Sequence, residues 1–566
     1  MKFVKSKAFY YTCFWLVAIL LAILSVLPYL NNYYIGGGGF GMGDDVFFHT
    51  PRILTLAEDI KHWNFPISIS PYTFGGYGRA DALFYPQFFL FIPSLMIALG
   101  VPAIVSFKIF IFILSLATLL ICYYSGKQIC KQKTIAVCFA ILYTFSIYRL
   151  GDVFKRDALG EVQVLTFLPL FLYGLYNIFY EDSKKWFIIP ISFFAILNSQ
   201  TIGAVFSAIL AFLFFVCNIK ELRRKEVWLA VLKAIGTTAL VSLSFVLPFV
   251  EQIKHQNIQF PLKWPSINHM RLRLTDIFNN NFGDDASKYG IGTALGMLFV
   301  ASTIMFAVKF KKEDKKTRHF LLVCFSSSIL LYLLASTLFN WDEGSMLYKT
   351  IGFIQFPYRM WLIILPVSTI FACYALKYLG DKWLHFVVII MLIFTACQTL
   401  MPIKDMYKGA RSGYFDVETT LKYDYTSDEY IFCYWEWMPS EFFFWLGDEY
   451  KLKPIADYGD KQLPVEMKNN KYYLNFENKG DFKIAMPITY FKGYKAYLNG
   501  KQIELGKDET GRVSVSGTLE GAGEIVVKQV PTLLQIFSKI ASYSTLIYLF
   551  VLWKKKNSAI DKKSFF

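Results

Sequence analysis

Two adjacent carboxylates, Asp44 and Asp45, follow a glycine-rich run that begins at Gly36. A carboxylate can remove a proton from an attacking hydroxyl group, and a pair of carboxylates can also bind a divalent cation. A structural explanation competes with these roles, because Thr50 and Pro51 are typical of a helix start and acidic residues there suit the helix dipole. Capping needs only one aspartate and does not explain the glycines. We therefore interpret Asp44 and Asp45 as the catalytic residues, with a divalent cation as an option that the sequence does not require.

The residues that follow this pair supply further polar groups for substrate contacts. Glycines at positions 75, 76 and 78 allow close approach of the backbone to a ligand, and an arginine beside them could pair with phosphate. The residues that we expect to contact the substrate in this region are His49, Arg52, Arg79, Asp81 and Tyr85.

A second stretch alternates in charge: Arg149, Asp152, Lys155, Arg156, Asp157 and Glu161. The acidic residues could neutralise the cations in a structural salt-bridge network. Equally, Lys155 and Arg156 could bind the phosphate of a substrate, with Glu161 as a further substrate contact. The sequence leaves these two interpretations open.

A third polar group, Gln355 and Arg359, lies at the end of an apolar segment. Residues four apart share one face of a helix, and Pro357 between them loosens the backbone. A guanidinium within a helix bundle needs a partner, and phosphate is a good bidentate one. The alternative is that Arg359 extends toward lipid headgroups. The polar stretch Asn198–Thr201 is interpreted as a turn on the outer face, with the alternative that it lines the pocket.

These polar groups are set in a strongly apolar chain. Of its 566 residues, 55% are hydrophobic and 18% aromatic, and the mean hydropathy is +0.40. Apolar runs of about twenty residues recur, which is the length of a helix that crosses a bilayer. We predict an all-α polytopic membrane bundle of about twelve helices, near 9–30, 103–124, 134–149, 161–180, 186–197, 202–218, 227–250, 291–309, 319–339, 352–378, 382–402 and 533–553.

The net charge of +16 could suggest a nucleic-acid-binding protein, but the basic residues are concentrated in short loops between apolar runs. Cytoplasmic N- and C-termini put five basic clusters on the cytoplasmic side, in agreement with the positive-inside rule. The charged groups described above then face outward. This topology requires that the segment 84–99, which contains two prolines, lies along the surface or re-enters.

The composition changes after residue 402. Short, partly alternating segments follow, and Asn499-Gly500 between two of them is a strong hairpin signal. We predict a transmembrane module at 1–402 with an outer loop at 31–101, and an extracytoplasmic β-rich, sandwich-like domain at 403–532. A final helix and a basic cytoplasmic tail complete the chain at 533–566.

This layout resembles the GT-C superfamily of membrane glycosyltransferases, in which a large outer loop after the first helix begins with acidic residues and contains two surface helices. Asp44 and Asp45 hold the acidic position, and 50–63 and 84–99 are the candidate surface helices. The chain also resembles YfhO-like membrane proteins. It is similar as well to bacterial membrane proteins labelled 6-pyruvoyl-tetrahydropterin synthase related, which share the stretch from Gln355 to Arg359, although nothing here is typical of pterin chemistry.

The resemblance implies a multi-pass enzyme of the bacterial plasma membrane that moves a sugar, with inversion, from a polyprenyl-phosphate donor to an extracytoplasmic glycopolymer or lipid. Asp45 or Asp44 would accept the proton of the acceptor hydroxyl. The donor phosphate would be bound by Arg359, Arg156, Lys155 and Gln355. The alternatives are a polytopic transporter or flippase and a non-catalytic cell-envelope assembly protein; a transporter often shows internal repeats, and we find none in the sequence.

Overall fold

The computed structural model describes residues 7–26, 39–40, 45–65, 68–73, 76–260, 265–282, 289–409, 415–416, 437–442 and 454–564. Asp44, one of the two predicted catalytic residues, lies outside the described residues. The described chain forms a helical part, then a β-sheet, and then a last long helix.

The helices vary widely in length. They are α1 (Lys7–Leu24), α2 (Val46–Lys61), α3 (Asp81–Phe84), α4 (Phe91–Ala98), α5 (Ala103–Cys130), α6 (Lys133–Thr144), α7 (Ile147–Phe154), α8 (Leu159–Tyr180), α9 (Ile188–Leu197), α10 (Thr201–Cys217), α11 (Lys225–His255), α12 (Thr293–Lys309), α13 (Lys315–Ala335), α14 (Met346–Ile351), α15 (Trp361–Ala375), α16 (Asp381–Gly409) and α17 (Leu533–Ser564).

Within the described residues, eight helices are long and apolar enough to cross a membrane, or nine if α6 and α7, bent by 42° at a short break, form one span. Of the predicted spans, α9 has 10 residues, fewer than the roughly 17–25 that cross a bilayer, and α10 has 17, at the lower end of that range. The total of about twelve spans stays a prediction. The apolar segment Phe88–Ala98 is also too short to cross.

Two helices form the centre of the bundle. In α8 and in the segment Pro357–Tyr378, which contains α15, 94% of the apolar window is buried, against 17% in α17. A charge on a peripheral helix would face lipid, which is costly. A charge at the end of a central helix can instead be surrounded by protein. The candidate site lies at the starts of these two central helices.

Helix α2 begins earlier than the sequence indicates. Asp45 is at its N-cap position, and Pro51 lies inside the helix rather than at its start. The predicted start at Thr50 and Pro51 is therefore wrong, and these two residues do not cap the helix. The side chain of Asp45 makes no capping hydrogen bond. By contrast, Asp314 caps α13 by accepting hydrogen bonds from the backbone N–H groups of Lys316 and Thr317 at 3.0 and 3.1 Å.

The strands of the β-rich region belong to one antiparallel sheet of seven strands in the order β4-β3-β6-β9-β7-β8, with β5 beside β6. The long central strands β6 and β9 pair along most of their length, and the sandwich-like packing of the domain stays a prediction. The strands are β3 (Ile455–Tyr458), β4 (Lys461–Pro464), β5 (Glu466–Lys468), β6 (Lys471–Thr489), β7 (Tyr494–Leu498), β8 (Lys501–Lys507) and β9 (Arg512–Gln529); the short strands β1 (Gly39–Phe40) and β2 (Phe415–Asp416) pair separately.

The hairpin predicted from Asn499-Gly500 is confirmed. Leu498 pairs with Lys501, and the two turn residues have φ values of +50° and +83°. Both values are positive, as a tight turn between twisted strands requires.

The sheet rests on the outer loop and on α11. The backbone N–H of Thr489 donates to the carbonyl oxygen of Tyr77 at 2.7 Å. Gln252 on α11 forms two hydrogen bonds with the backbone of Lys492, at 2.8 and 3.1 Å. These contacts fix the sheet against the same loop that contributes Tyr85 to the candidate site.

Candidate active site

Four charged residues from two distant parts of the chain form a buried ionic cluster, which consists of Asp152, Arg156, Glu161 and Arg359. The guanidinium of Arg156 donates to Asp152 Oδ1 at 2.6 Å and to both carboxylate oxygens of Glu161 at 2.9 and 3.0 Å. Arg359 Nε donates to Glu161 Oε1 at 2.8 Å. Glu161 thus holds both arginines, and the hydroxyl group of Tyr148 donates to its Oε2 at 2.8 Å.

The backbone between α7 and α8 brings three of these residues together. Asp152 lies in the last turn of α7, Arg156 lies two residues beyond the end of this helix, and Glu161 lies in the first turn of α8. Asp157 in the connection has φ +50°, a left-handed conformation that aspartate tolerates better than most residues. This tight connection turns the chain so that Glu161 faces Arg156.

Gln355 contacts Arg359, but the two residues do not share a helix face as the sequence predicts. It does not share a helix with Arg359, because it lies just before the short 3₁₀-helix Pro357–Met360 and has φ +67°. Its side-chain oxygen nevertheless accepts a hydrogen bond from Arg359 Nη1. Such strained backbone is found most often at functional sites.

Asp45 lies directly beside the cluster. Its backbone N–H donates to the carbonyl oxygen of Arg156 at 2.8 Å. Its carboxylate is close enough to interact electrostatically with Arg359 and with Tyr85. The acidic end of α2 and the two arginines of the cluster therefore meet, although the sequence separates them by more than a hundred positions.

Arg52 links α2 to the outer loop. Its guanidinium donates to the carbonyl oxygens of Tyr85 and Pro86 at 3.1 and 3.0 Å. It also lies over the rings of Phe48 and Tyr85, at 4.9 and 4.6 Å from their centroids. These contacts hold Tyr85 against the first turn of α2.

His49 is buried next to Tyr85, with ring centroids 6.0 Å apart. Burial, and then the positive charge of Arg52, hold the pKa of His49 well below its usual value. The imidazole is therefore neutral at pH 7. Burial likewise raises the pKa of Tyr85, so that its hydroxyl group keeps its proton.

Three predicted site residues lie outside this assembly. Lys155 is exposed while its neighbour Arg156 is buried, because adjacent side chains leave the backbone in different directions. Arg79 and Asp81 form an ion pair with each other at 2.5 Å. The loop that holds them packs against the sheet, where Tyr472 donates to the carbonyl oxygen of Gly76 at 2.7 Å.

Two residues of the site were not among the predicted ones. Tyr148 is four positions before Asp152 on α7, and this spacing could have indicated that both face Glu161. Gln200 lies beside Gly160, where a Cβ atom would be 3.3 Å from Gln200 Cβ. Arg149, by contrast, is fully buried and donates hydrogen bonds to Ser115, Thr118 and the backbone of Thr144.

Buried polar atoms without a hydrogen-bond partner among the described residues occur around the cluster. They include His49 Nδ1, Asp152 Oδ2 and Gln200 Oε1, which come from three different elements. Buried polar groups normally find partners, and the exceptions often mark catalytic or ligand-binding positions.

Similar solved structures include the oligosaccharyltransferase of Archaeoglobus fulgidus in its apo form, with 14% identity over 76% of this chain and 60% of that chain and a TM-score of 0.40. The archaeal oligosaccharyltransferase AglB from the same organism, in complex with an inhibitory peptide and a dolichol-phosphate, gives 14% identity, 75% and 60% coverage and a TM-score of 0.40. The arabinofuranosyltransferase AftD from Mycobacteria gives 15% identity, 70% and 27% coverage and a TM-score of 0.46. The chain thus spans 60% or less of the length of these proteins.

No protein-family model matches the sequence, and no curated protein matches it. Because the TM-scores above are below 0.5, the function is inferred from the geometry of the site.

The divalent cation that the sequence allows at Asp44 and Asp45 stays a prediction, because Asp44 lies outside the described residues. Such an ion needs several oxygen ligands. No group of three or more His, Cys, Asp or Glu side chains suited to a metal is found in the part of the chain that the structure describes.

Proposed function

We propose that the chain is a GT-C-type glycosyltransferase that moves a sugar, with inversion, from a polyprenyl-phosphate donor to an extracytoplasmic acceptor. The observation that supports this proposal most strongly is that Glu161 holds Arg156 and Arg359 together directly beside Asp45. A sugar transfer of this kind needs a base for the acceptor and a cationic group for the departing phosphate. The site offers both within one assembly.

Arg359 is the residue that we assign to the donor phosphate. Its Nε and Nη1 atoms donate to Glu161, Ile354 and Gln355, whereas Nη2 has no partner among the described residues. A planar guanidinium fixed in this way is already oriented, so little conformational entropy is lost when it binds phosphate. Arg156, held by the same carboxylate, adds positive charge to the phosphate site.

The proposed reaction is a single displacement at the anomeric carbon. The oxygen of the acceptor hydroxyl forms a bond to this carbon, and its proton passes to the carboxylate of Asp45. The bond between the anomeric carbon and the phosphate oxygen breaks, and the phosphate leaves with the electron pair. Arg359 and Arg156 stabilise the charge that develops on it. General-base catalysis contributes roughly 10²–10⁴-fold to such a step, and the remainder comes from positioning and from this charge stabilisation.

The proposal includes a location in the bacterial plasma membrane with both termini in the cytoplasm and the site on the outer side. Its acceptor is a cell-surface glycopolymer or a lipid. The role of Asp44 remains a prediction from the sequence.

A transporter or flippase is the competing function. Transporters typically contain a pair of broken helices at corresponding positions of two repeats. Among the described helices, one bent pair is found, α6 with α7. The polar groups are also gathered at the starts of α8 and α15 rather than along the bundle, which favours surface chemistry.

The test is complementation in the host bacterium. The gene is deleted, and the wild-type protein, Asp45→Asn or Asp59→Asn is expressed from a plasmid. Asp59 is a matched control, since it is a buried carboxylate on the same helix but is not part of the ionic cluster. Envelope sugars are then measured by acid hydrolysis and chromatography.

We expect Asp45→Asn to reach the wild-type level in membranes while the envelope sugars stay as in the deletion strain. Asp59→Asn should restore them. If Asp45→Asn restores the sugars as well as the wild-type protein does, the proposed function is wrong.

A further inference from the structure

We propose that Gln200 and Tyr85 form a neutral subsite that binds a hydroxyl group of the sugar carried by the donor. This inference rests on the proposed function and deepens it, because it concerns which sugar the enzyme accepts. The subsite lies beside the ionic cluster rather than within it.

In the turn between α9 and α10, Asn198 and Ser199 form side-chain hydrogen bonds, whereas the side-chain oxygen of Gln200 forms none with the described residues. Asn198 Nδ2 donates to the carbonyl oxygen of Phe194 at 2.9 Å, and Ser199 Oγ donates to that of Ala195 at 2.7 Å. Gln200 is only 6% exposed, yet its Oε1 has no hydrogen-bond partner among the described residues. A buried amide oxygen without a hydrogen-bond donor is costly, and a ligand hydroxyl group could donate to it.

Gln200 packs against Gly160 in the first turn of α8. A Cβ atom at Gly160 would lie 2.3 Å from the hydroxyl oxygen of Tyr85 and 3.3 Å from Gln200 Cβ. The Tyr85 phenol and the aliphatic part of the Gln200 side chain therefore both lie next to Gly160. The next residue along the chain is Glu161, which holds both arginines of the cluster. A group attached to a phosphate bound by Arg359 would thus be close to Gln200 and Tyr85.

The chemistry of this pair suits a hydroxyl group better than a phosphate. An amide and a phenol each both donate and accept hydrogen bonds, as a hydroxyl group does, and neither carries a charge. Because a site that hydrogen-bonds a substrate hydroxyl discriminates strongly against analogues that lack it, the pair would determine sugar specificity.

The experiment measures ligand binding to the full-length protein in lipid nanodiscs. The probes are polyprenyl monophosphate, which has no sugar, and a panel of polyprenyl-phosphate hexoses and pentoses. The proteins are the wild type, Gln200→Met and the control Ser199→Ala, whose hydroxyl group bonds within its own helix. Gln200→Asn serves as a second variant that shortens the amide without introducing an apolar side chain. Thermal unfolding shows that each variant is folded.

We expect Gln200→Met to weaken binding of the best phosphosugar roughly fivefold to tenfold, the loss of about one hydrogen bond. Binding of polyprenyl monophosphate should change less than twofold, and Ser199→Ala should alter neither. Equal weakening of both probes, or of neither, by both Gln200 variants overturns the inference while leaving the proposed function intact. If the wild-type protein binds no polyprenyl phosphate at all, the proposed function fails and the inference fails with it.

Discussion

Glu161 Oε1 accepts a hydrogen bond from Arg359 Nε at 2.8 Å, although the two residues are separated by 198 positions in the chain. The same carboxylate binds Arg156 through both of its oxygens. Without Glu161, two guanidinium groups would lie close together in a buried environment and would repel each other. The carboxylate is thus a positioning group for the two arginines that we assign to the phosphate.

The first prediction concerns this carboxylate. Glu161→Gln should destabilise the protein by about 3–5 kcal/mol, because it leaves two buried arginines without their shared counterion. The measurement is thermal unfolding of the purified protein in detergent. Glu181→Gln is the control, since the pair of Glu181 with Lys131 is exposed and should contribute less than about 1 kcal/mol. Equal and small losses in the two variants would show that the cluster does not stabilise the fold.

The second prediction concerns the close contact of Gly160 with Tyr85. Gly160→Ala puts a methyl group 2.3 Å from the hydroxyl oxygen of Tyr85, so the ring must move, at a cost of about 1–3 kcal/mol. Adding Tyr85→Phe should recover part of this loss, which a double-mutant cycle of unfolding temperatures measures.

Gly236→Ala is the matched control for this prediction. Gly236 also lies within a helix, and a Cβ atom there would meet nothing within 4 Å. This substitution should be neutral or stabilising by up to about 1 kcal/mol. A similar loss of stability at both glycines would show that helix propensity, and not the contact with Tyr85, determines the outcome.

The third prediction concerns pH. Burial raises the pKa of Asp59 to about 7, although Asn64 donates a hydrogen bond to its carboxylate at 2.7 Å. The unfolded chain releases this proton near pH 4, so between about pH 4 and 7 the folded protein binds more protons. The free energy of unfolding should therefore fall as the pH rises through this range.

Asp59→Asn should remove this dependence, because the amide does not titrate. The measurement is the unfolding temperature of both proteins between pH 5 and 8. The wild-type protein should lose stability relative to the variant as the pH rises. Parallel curves for the two proteins would contradict the raised pKa.

Parts of the fold that depend on local chemistry could be predicted from the sequence. The turn at Asn499-Gly500 was predicted because these two residues readily adopt positive φ values. Long apolar runs such as that in α5 likewise indicate a helix wherever they occur. The start of α2 was predicted wrongly, because Pro51 is tolerated inside the helix.

The site itself could be predicted only in part. Arg156, Glu161 and Arg359 were identified because charge in an apolar chain is costly, but the sequence left open whether the charges neutralise each other or bind phosphate. The structure shows that Glu161 pairs with both arginines. The sequence leaves open whether the turn that contains Gln200 lines the pocket, since the position of Gln200 beside Gly160 depends on how α8 packs against that turn.

The most direct test of this account is a cryo-electron microscopy structure of the protein in nanodiscs with polyprenyl monophosphate. The account predicts density for the phosphate within hydrogen-bonding distance of the guanidinium of Arg359, next to Arg156 and Asp45, with the lipid chain leading away into the bilayer. Phosphate density elsewhere, with the ionic cluster unchanged and free of ligand, would contradict the central claim that this cluster is the donor site.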